Sequence, residues 1–130
     1  MGRVRQVNSG YLVDTHILLW SLHGDRRLKQ RHEAILGSSA ETFVSMATAW
    51  EIVIKVNLGK LDTVGDIEEA LKSVGHQVLP VTFDHLRHLR ELPTHHRDPF
   101  DRLIIAQAKT ENMTILTADD EFAKYDVMTV

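Results

Sequence analysis

The sequence of 130 residues contains no cysteine. Disulfide staples, thiolate zinc sites and cysteine nucleophiles are thereby excluded, and the absence suits a reducing compartment. No apolar run approaches the roughly 18 residues that a membrane span requires, and the opening "MGRVRQVNSG" lacks the apolar centre of a signal peptide. These absences predict a soluble, cytoplasmic protein with no membrane association. Aromatic residues make up only 6% of the chain, too few for a large base-stacking platform. An excess of positive charge is missing as well: the formal net charge is −3, whereas nucleic-acid binding usually rests on a basic footprint. That last absence decides little. Committing four carboxylates to a cation would turn the remaining balance slightly positive, and Arg26, Arg27, Lys29 and Arg31 cluster in one short stretch.

What is present is enough chain for one compact domain with a real core. Apolar runs predict short strands at 11–14, 41–45, 76–81, 113–116 and 127–130. Between them, amphipathic spacing predicts helices at 26–36 and 64–74, and Met46, Ala49, Trp50, Val53, Ile54 and Leu58 give the rhythm of a buried helix face over 46–58, with Gly59 as its stop. Further helices are expected at 84–91 and 99–111, with 91–100 as the longest loop. Strand–helix alternation of this kind resolves physically into a mostly parallel sheet covered on both faces, an α/β fold of three layers. We expect a single domain over 11–130 behind a leader at 1–10.

In open α/β sheets, sites form outside the carboxyl ends of the strands. Asp14 ends the first expected strand, and Thr117 and Asp119 follow the strand at 113–116 closely, so they share that edge. Each acid also has a plain structural reading. Asp14 could cap the helix that begins near His16. Glu51, set in the apolar "AWEIVI", could pair with Lys55 four residues on, although an unpaired buried carboxylate would be costly. Asp98 precedes Pro99 and reads as an N-cap, whereas Asp101 lies on the stripe that continues through Ile104, Ile105 and Ala108, facing the interior. Asp119 and Asp120 sit at another strand-to-helix junction, where one could cap and the other be solvated. The case for function is the set of four: Asp14, Glu51, Asp101 and Asp119.

Carboxylates brought together repel, and a divalent cation relieves the repulsion. Oxygen-only sites with open positions suit Mg²⁺ or Mn²⁺, whose chemistry includes phosphodiester hydrolysis. The eight histidines show no H-E-x-x-H spacing, and His95 and His96 read as solvated loop residues.

Taken together, "YLVDTHILLW", "SMATAWEIVIKVNLGKL", "HRDPFDRLIIAQA" and "ILTADDEF" resemble the PIN-domain ribonucleases, specifically the VapC-like toxins of type II toxin–antitoxin modules. The likeness runs from about residue 11 to the end of the sequence in the family's motif order. It implies a PIN-like three-layer α/β/α fold and an acidic pocket that binds Mg²⁺ or Mn²⁺. It also implies cleavage of single-stranded RNA to a 3′-hydroxyl and a 5′-phosphate, a homodimer, and a cognate antitoxin as partner. By position the family's metal-binding and catalytic acids fall on Asp14, Glu51, Asp101 and Asp119. Thr117 matches the hydroxyl residue two before the last acid, and Asp98 belongs to the "DPFD" motif in a supporting role.

Two other readings compete. A phosphoacceptor receiver domain has similar length and alternation, but it needs paired acids after the first strand and a lysine after the last but one. Here Thr15 follows Asp14, and "ILTADD" carries no lysine. A PIN-like module that binds RNA or protein without cutting is separable only by a cleavage assay.

Overall fold

The structure is a computed structural model that describes residues 10–62, 65–95 and 98–130; residues 1–9 of the leader expected at 1–10, and His96, lie outside them. Four strands, β1 (Tyr11–Val13), β2 (Thr42–Ser45), β3 (Gln77–Leu79) and β4 (Thr114–Leu116), form one parallel sheet in the order β3-β2-β1-β4. Six helices connect them: α1 (Thr15–His23), α2 (Gln30–Leu36), α3 (Met46–Asn57), α4 (Ile67–Ser73), α5 (Phe83–Glu91) and α6 (Pro99–Glu111). A 3-10 turn over Asp120–Lys124 follows β4.

The three-layer expectation holds because every strand is apolar on both sides. Leu12 and Ile115 face a cluster built with Ile104, Ile105 and Phe122. Val13 and Leu116 face the opposite one, with Ile17, Leu18, Ile52 and Leu71. Removing each such side chain from water is worth about 1.5–3 kcal/mol. With both faces apolar, alternation cannot fix the register of β1, so its ends do. Gly10 enters at φ 101, where an added Cβ would meet Glu41 O at 2.8 Å, and Asp14 ends the strand at the edge. Tyr11, Leu12 and Val13 thereby pair with Thr114, Ile115 and Leu116.

Short polar side chains set most of the helix starts. Asp14 accepts from Ile17 N, Ser45 from Ala47 N, Asp66 from Glu69 N, and Asp98 from Phe100 N and Asp101 N. Each satisfies an amide that the first helical turn leaves without a partner. α3 ends at Asn57, and Gly59 follows with φ 72, as its position in the sequence suggests.

Two expectations need correction. Residues 127–130 do not form a full strand: they meet β4 only through the parallel bridge Ile115–Thr129, because the chain has just left the 3-10 turn and a bend. The helix expected at 26–36 begins only at Gln30, since residues 26–28 are spent in a turn in which Arg27 bonds back to Asp25. His32, His76 and His85 are buried, each with a partner: Val130 O at 2.8 Å, Thr42 Oγ1 at 2.8 Å and Glu111 Oε2 at 2.7 Å. His95, exposed in its loop, rests edge-on against Tyr125. No helix among the described residues is long and apolar enough to cross a membrane.

Candidate functional site

From β1 the chain moves outward through β2 to β3, then returns to add β4 on the other side of β1. The β1–β4 junction is therefore the point where the strand order reverses, and the crevice outside such a junction is where open α/β sheets bind ligands. Asp14 and Thr117 are the residues that immediately follow these two strands.

They are bonded to one another. Thr117 Oγ1 donates to Asp14 Oδ2 at 2.5 Å, and the same oxygen accepts from Asp119 N at 3.0 Å. A single hydroxyl thus couples the acid after β1 to the acid beyond β4. Asp14 is 2% exposed. Burial raises its pKa above the ordinary 3.8, the negative charge of Asp119 pushes the same way, and the hydrogen bonds from Thr117 and Ile17 and the nearby His16 oppose the rise. The site therefore holds a carboxylate whose charge is only partly compensated by the protein.

Glu51, 5% exposed on α3, joins through the residue after Asp14. Thr15 Oγ1 donates to Glu51 Oε1 at 2.8 Å, while Lys55 Nζ approaches Oε2 at 2.9 Å. Glu51 thus forms the helix pair with Lys55 and is buried as well. Asp101 stands half-buried in the first turn of α6, its N–H donating to Asp98 Oδ1 at 3.0 Å. α6 packs on α3, where Trp50, the neighbour of Glu51, meets Phe100, the neighbour of Asp101, at 5.3 Å between ring centroids. Asp98 is the N-cap expected of it. Asp119 likewise caps the 3-10 turn by accepting from Glu121 N, and Asp120 is exposed.

Thr15 was not marked by the sequence reading, although the hydroxyl directly after the strand-ending acid in "VDTH" is the available signal. Nor did the basic stretch separate there into its two parts. Arg27 forms a two-point pair with Asp25 and lies 5.0 Å from the Trp20 ring centre. Lys29 and Arg31 instead line an open cleft of about 280 Å³ beside Thr117 and Asp119.

Among the described residues, no group of three or more His, Asp or Glu side chains is set to enclose a metal ion. The donor chemistry nevertheless fits a hard divalent cation. Mg²⁺ keeps most of its waters and is held by one or two carboxylates plus substrate phosphate rather than by a closed protein cage. Asp14 and Asp119 supply such a pair of oxygen donors, and a cation beside them would favour the ionised form of Asp14 that burial, and to a lesser degree the charge of Asp119, disfavours.

Comparison with curated proteins gives no significant match. Solved structures do match. They include VapBC2 from Rickettsia felis bound to a DNA fragment from their promoter, at 16% identity and TM-score 0.70, covering 92% of this chain and 96% of that one. FitAcB from Neisseria gonorrhoeae aligns at 20% identity and TM-score 0.64, covering 92% and 95%. A toxin–antitoxin complex from Klebsiella pneumoniae aligns at 19% identity and TM-score 0.66, also covering 92% and 95%. At these identities the likeness speaks for the fold. A family model described as "PIN domain" matches residues 11–128, from the first residue of β1 to beyond the last helix, a stretch that contains all four acids. The chain belongs to the PIN-domain family.

Proposed function

We propose that the chain is a metal-dependent endoribonuclease acting as the toxin of a toxin–antitoxin pair. The observation that carries this reading is the Asp14–Thr117–Asp119 unit, a buried carboxylate and its acidic neighbour tied by one hydroxyl at the strand-order reversal of a PIN domain. In this reading Asp14 and Asp119 hold Mg²⁺ or Mn²⁺, with Glu51 and Asp101 contributing from α3 and α6. When bound, such an ion supplies Lewis acidity and a water of lowered pKa.

The protein's own part is positioning. Thr117 orients Asp14 by donating to Oδ2 and fixes the backbone of Asp119 by accepting from it. Thr15 and Lys55 hold the two oxygens of Glu51 apart in direction, so that the carboxylate can orient a water and take its proton. The water oxygen attacks phosphorus and the bond to the 3′ oxygen breaks. That oxygen leaves as a 3′-hydroxyl after gaining a proton, and the phosphate stays on the 5′ side.

An antitoxin partner is supported by the toxin–antitoxin complexes among the structural neighbours. A homodimer is supported by Met46, Trp50 and Val53, which lie along one side of α3 and expose 51%, 61% and 43% of their surface to water. The test is cleavage of an RNA with single-stranded loops by the purified protein in Mn²⁺, with EDTA as control and the product ends identified. Cuts in the loops that leave 3′-hydroxyl and 5′-phosphate ends and vanish in EDTA are expected. Cleavage that persists in EDTA, or 2′,3′-cyclic ends, would overturn the mechanism. Binding without any cleavage would identify the silent module instead.

A further inference from the structure

The cleft beside the acid unit is a built feature. Ala118, Ala123, Thr129 and Val130 line it, the two alanines too small to fill it. Val130 is held from two sides, its carbonyl accepting from Thr117 N at 3.0 Å and from the buried His32 Nε2 at 2.8 Å. Ile115 N donates to Met128 O and Val130 N to Ile115 O, each at 2.9 Å, so the lining segment that ends in Val130 is laced to β4. Thr117, Asp119 and Asp120 line the same cleft together with Lys29 and Arg31.

Unlike Arg27, Lys29 and Arg31 make no ion pair among the described residues, and both are exposed. Two free cations thus line the same cleft as Thr117 and Asp119, beside which the proposed chemistry takes place. A small free anion gains little there, because Asp119 and Asp120 line the same space. An anion tethered to a group already seated at Asp14 and Asp119 is a different matter, since its local concentration is set by the tether. The volume is at the lower end for a drug-sized ligand site, which suits one sugar–phosphate rather than a folded helix.

We propose that the Lys29–Arg31 cleft is a phosphate subsite that binds the backbone of single-stranded RNA next to the bond to be cut. The inference rests on the ribonuclease reading of the neighbouring acids, but it concerns binding and can be separated from cleavage. In a Glu51→Gln background with Mn²⁺, which leaves Asp14 and Asp119 in place and removes the group proposed to take the water's proton so that the strand stays intact, anisotropy of a labelled single-stranded oligoribonucleotide reports affinity across 50–200 mM salt. Adding Lys29→Gln and Arg31→Gln should weaken binding about tenfold at low salt and make the salt slope shallower by about 1.4, as loss of two phosphate contacts to a single strand requires. Lys72→Gln with Lys109→Gln, two lysines that do not line the cleft, should change neither quantity. In the unmutated protein with Mn²⁺, the double cleft variant should raise the RNA concentration for half-maximal single-turnover cleavage while the saturating rate stays within about twofold.

Affinity and slope equal to those of the Lys72/Lys109 control would overturn the subsite, as would absence of RNA binding in the Glu51→Gln protein. Failure of the unmutated protein to cleave, with the charge-dependent binding intact, would instead overturn the ribonuclease reading and leave the subsite standing. Inorganic phosphate that competes at micromolar concentration would show a free-anion site and also overturn it.

Discussion

Thr117 is the residue on which the arrangement turns, because its single hydroxyl serves both acids. Thr117→Val keeps the shape and removes the donor, so activity should fall roughly 10–100-fold, the usual scale for losing a group that orients a metal ligand. Thr117→Ser should retain most of it, and comparable losses in the two variants, measured by single-turnover cleavage, would show that the methyl group and not the hydroxyl matters. Buried histidines make a second prediction at this scale. Burial holds the pKa of His76 below its ordinary 6.5. A group depressed in the folded state binds its proton more readily when unfolded, so its contribution is full above about 6.5 and is lost as pH falls through the folded value. The melting temperature should therefore decline on acidification below about 6.5, and His76→Gln should flatten that decline. Strand-ending acids were legible in the sequence because an isolated charge against apolar neighbours is conspicuous. Thr15 and the inward histidines were not, since a small hydroxyl or an imidazole declares its partner only once distant segments meet.

At the scale of elements, caps and strand ends were the readable features, because both are local. Asp98 followed by Pro99 announces the start of α6, and the structure has Asp98 accepting from the amides of Phe100 and Asp101. If capping is its main task, Asp98→Asn should leave stability nearly unchanged while Asp98→Ala costs about 1 kcal/mol, and the Asn variant should keep far more activity than Asp101→Asn. Chemical denaturation and the cleavage assay check the two halves. Equal activity losses at Asp98→Asn and Asp101→Asn would mean that both acids touch substrate or metal. The segment at 127–130 was misread for the opposite reason. Its composition is that of a strand, but pairing is a tertiary property, and only one bridge to β4 forms. The split of the basic stretch was equally hidden, because Asp25 captures Arg27 and leaves Lys29 and Arg31 to the cleft.

For the whole molecule, strand order is what brings residues more than 100 positions apart into contact: β4 returns to the free side of β1, and Thr117 lands on Asp14. The alternation of strands and helices predicted layers, but not that order, and so could not say which two strand ends would adjoin. The cation site proposed at Asp14 and Asp119 has a direct thermodynamic signature. Without a cation, burial and the neighbouring charge both disfavour ionised Asp14. A group whose pKa is raised by folding lends stability at low pH and loses it as pH rises through the raised value, so the cation-free protein is penalised at neutral pH. A ligand bound only by the folded state restores stability by about 2.7 kcal/mol at a hundredfold excess over its Kd. The decisive measurement is the melting temperature at neutral pH with and without Mn²⁺, in the unmutated chain and in Asp14→Asn and Asp119→Asn. A rise on the order of 10 °C in the unmutated chain, largely abolished in each variant, is predicted. No rise in the unmutated chain, or a full rise in both variants, would contradict a cation site shared by Asp14 and Asp119.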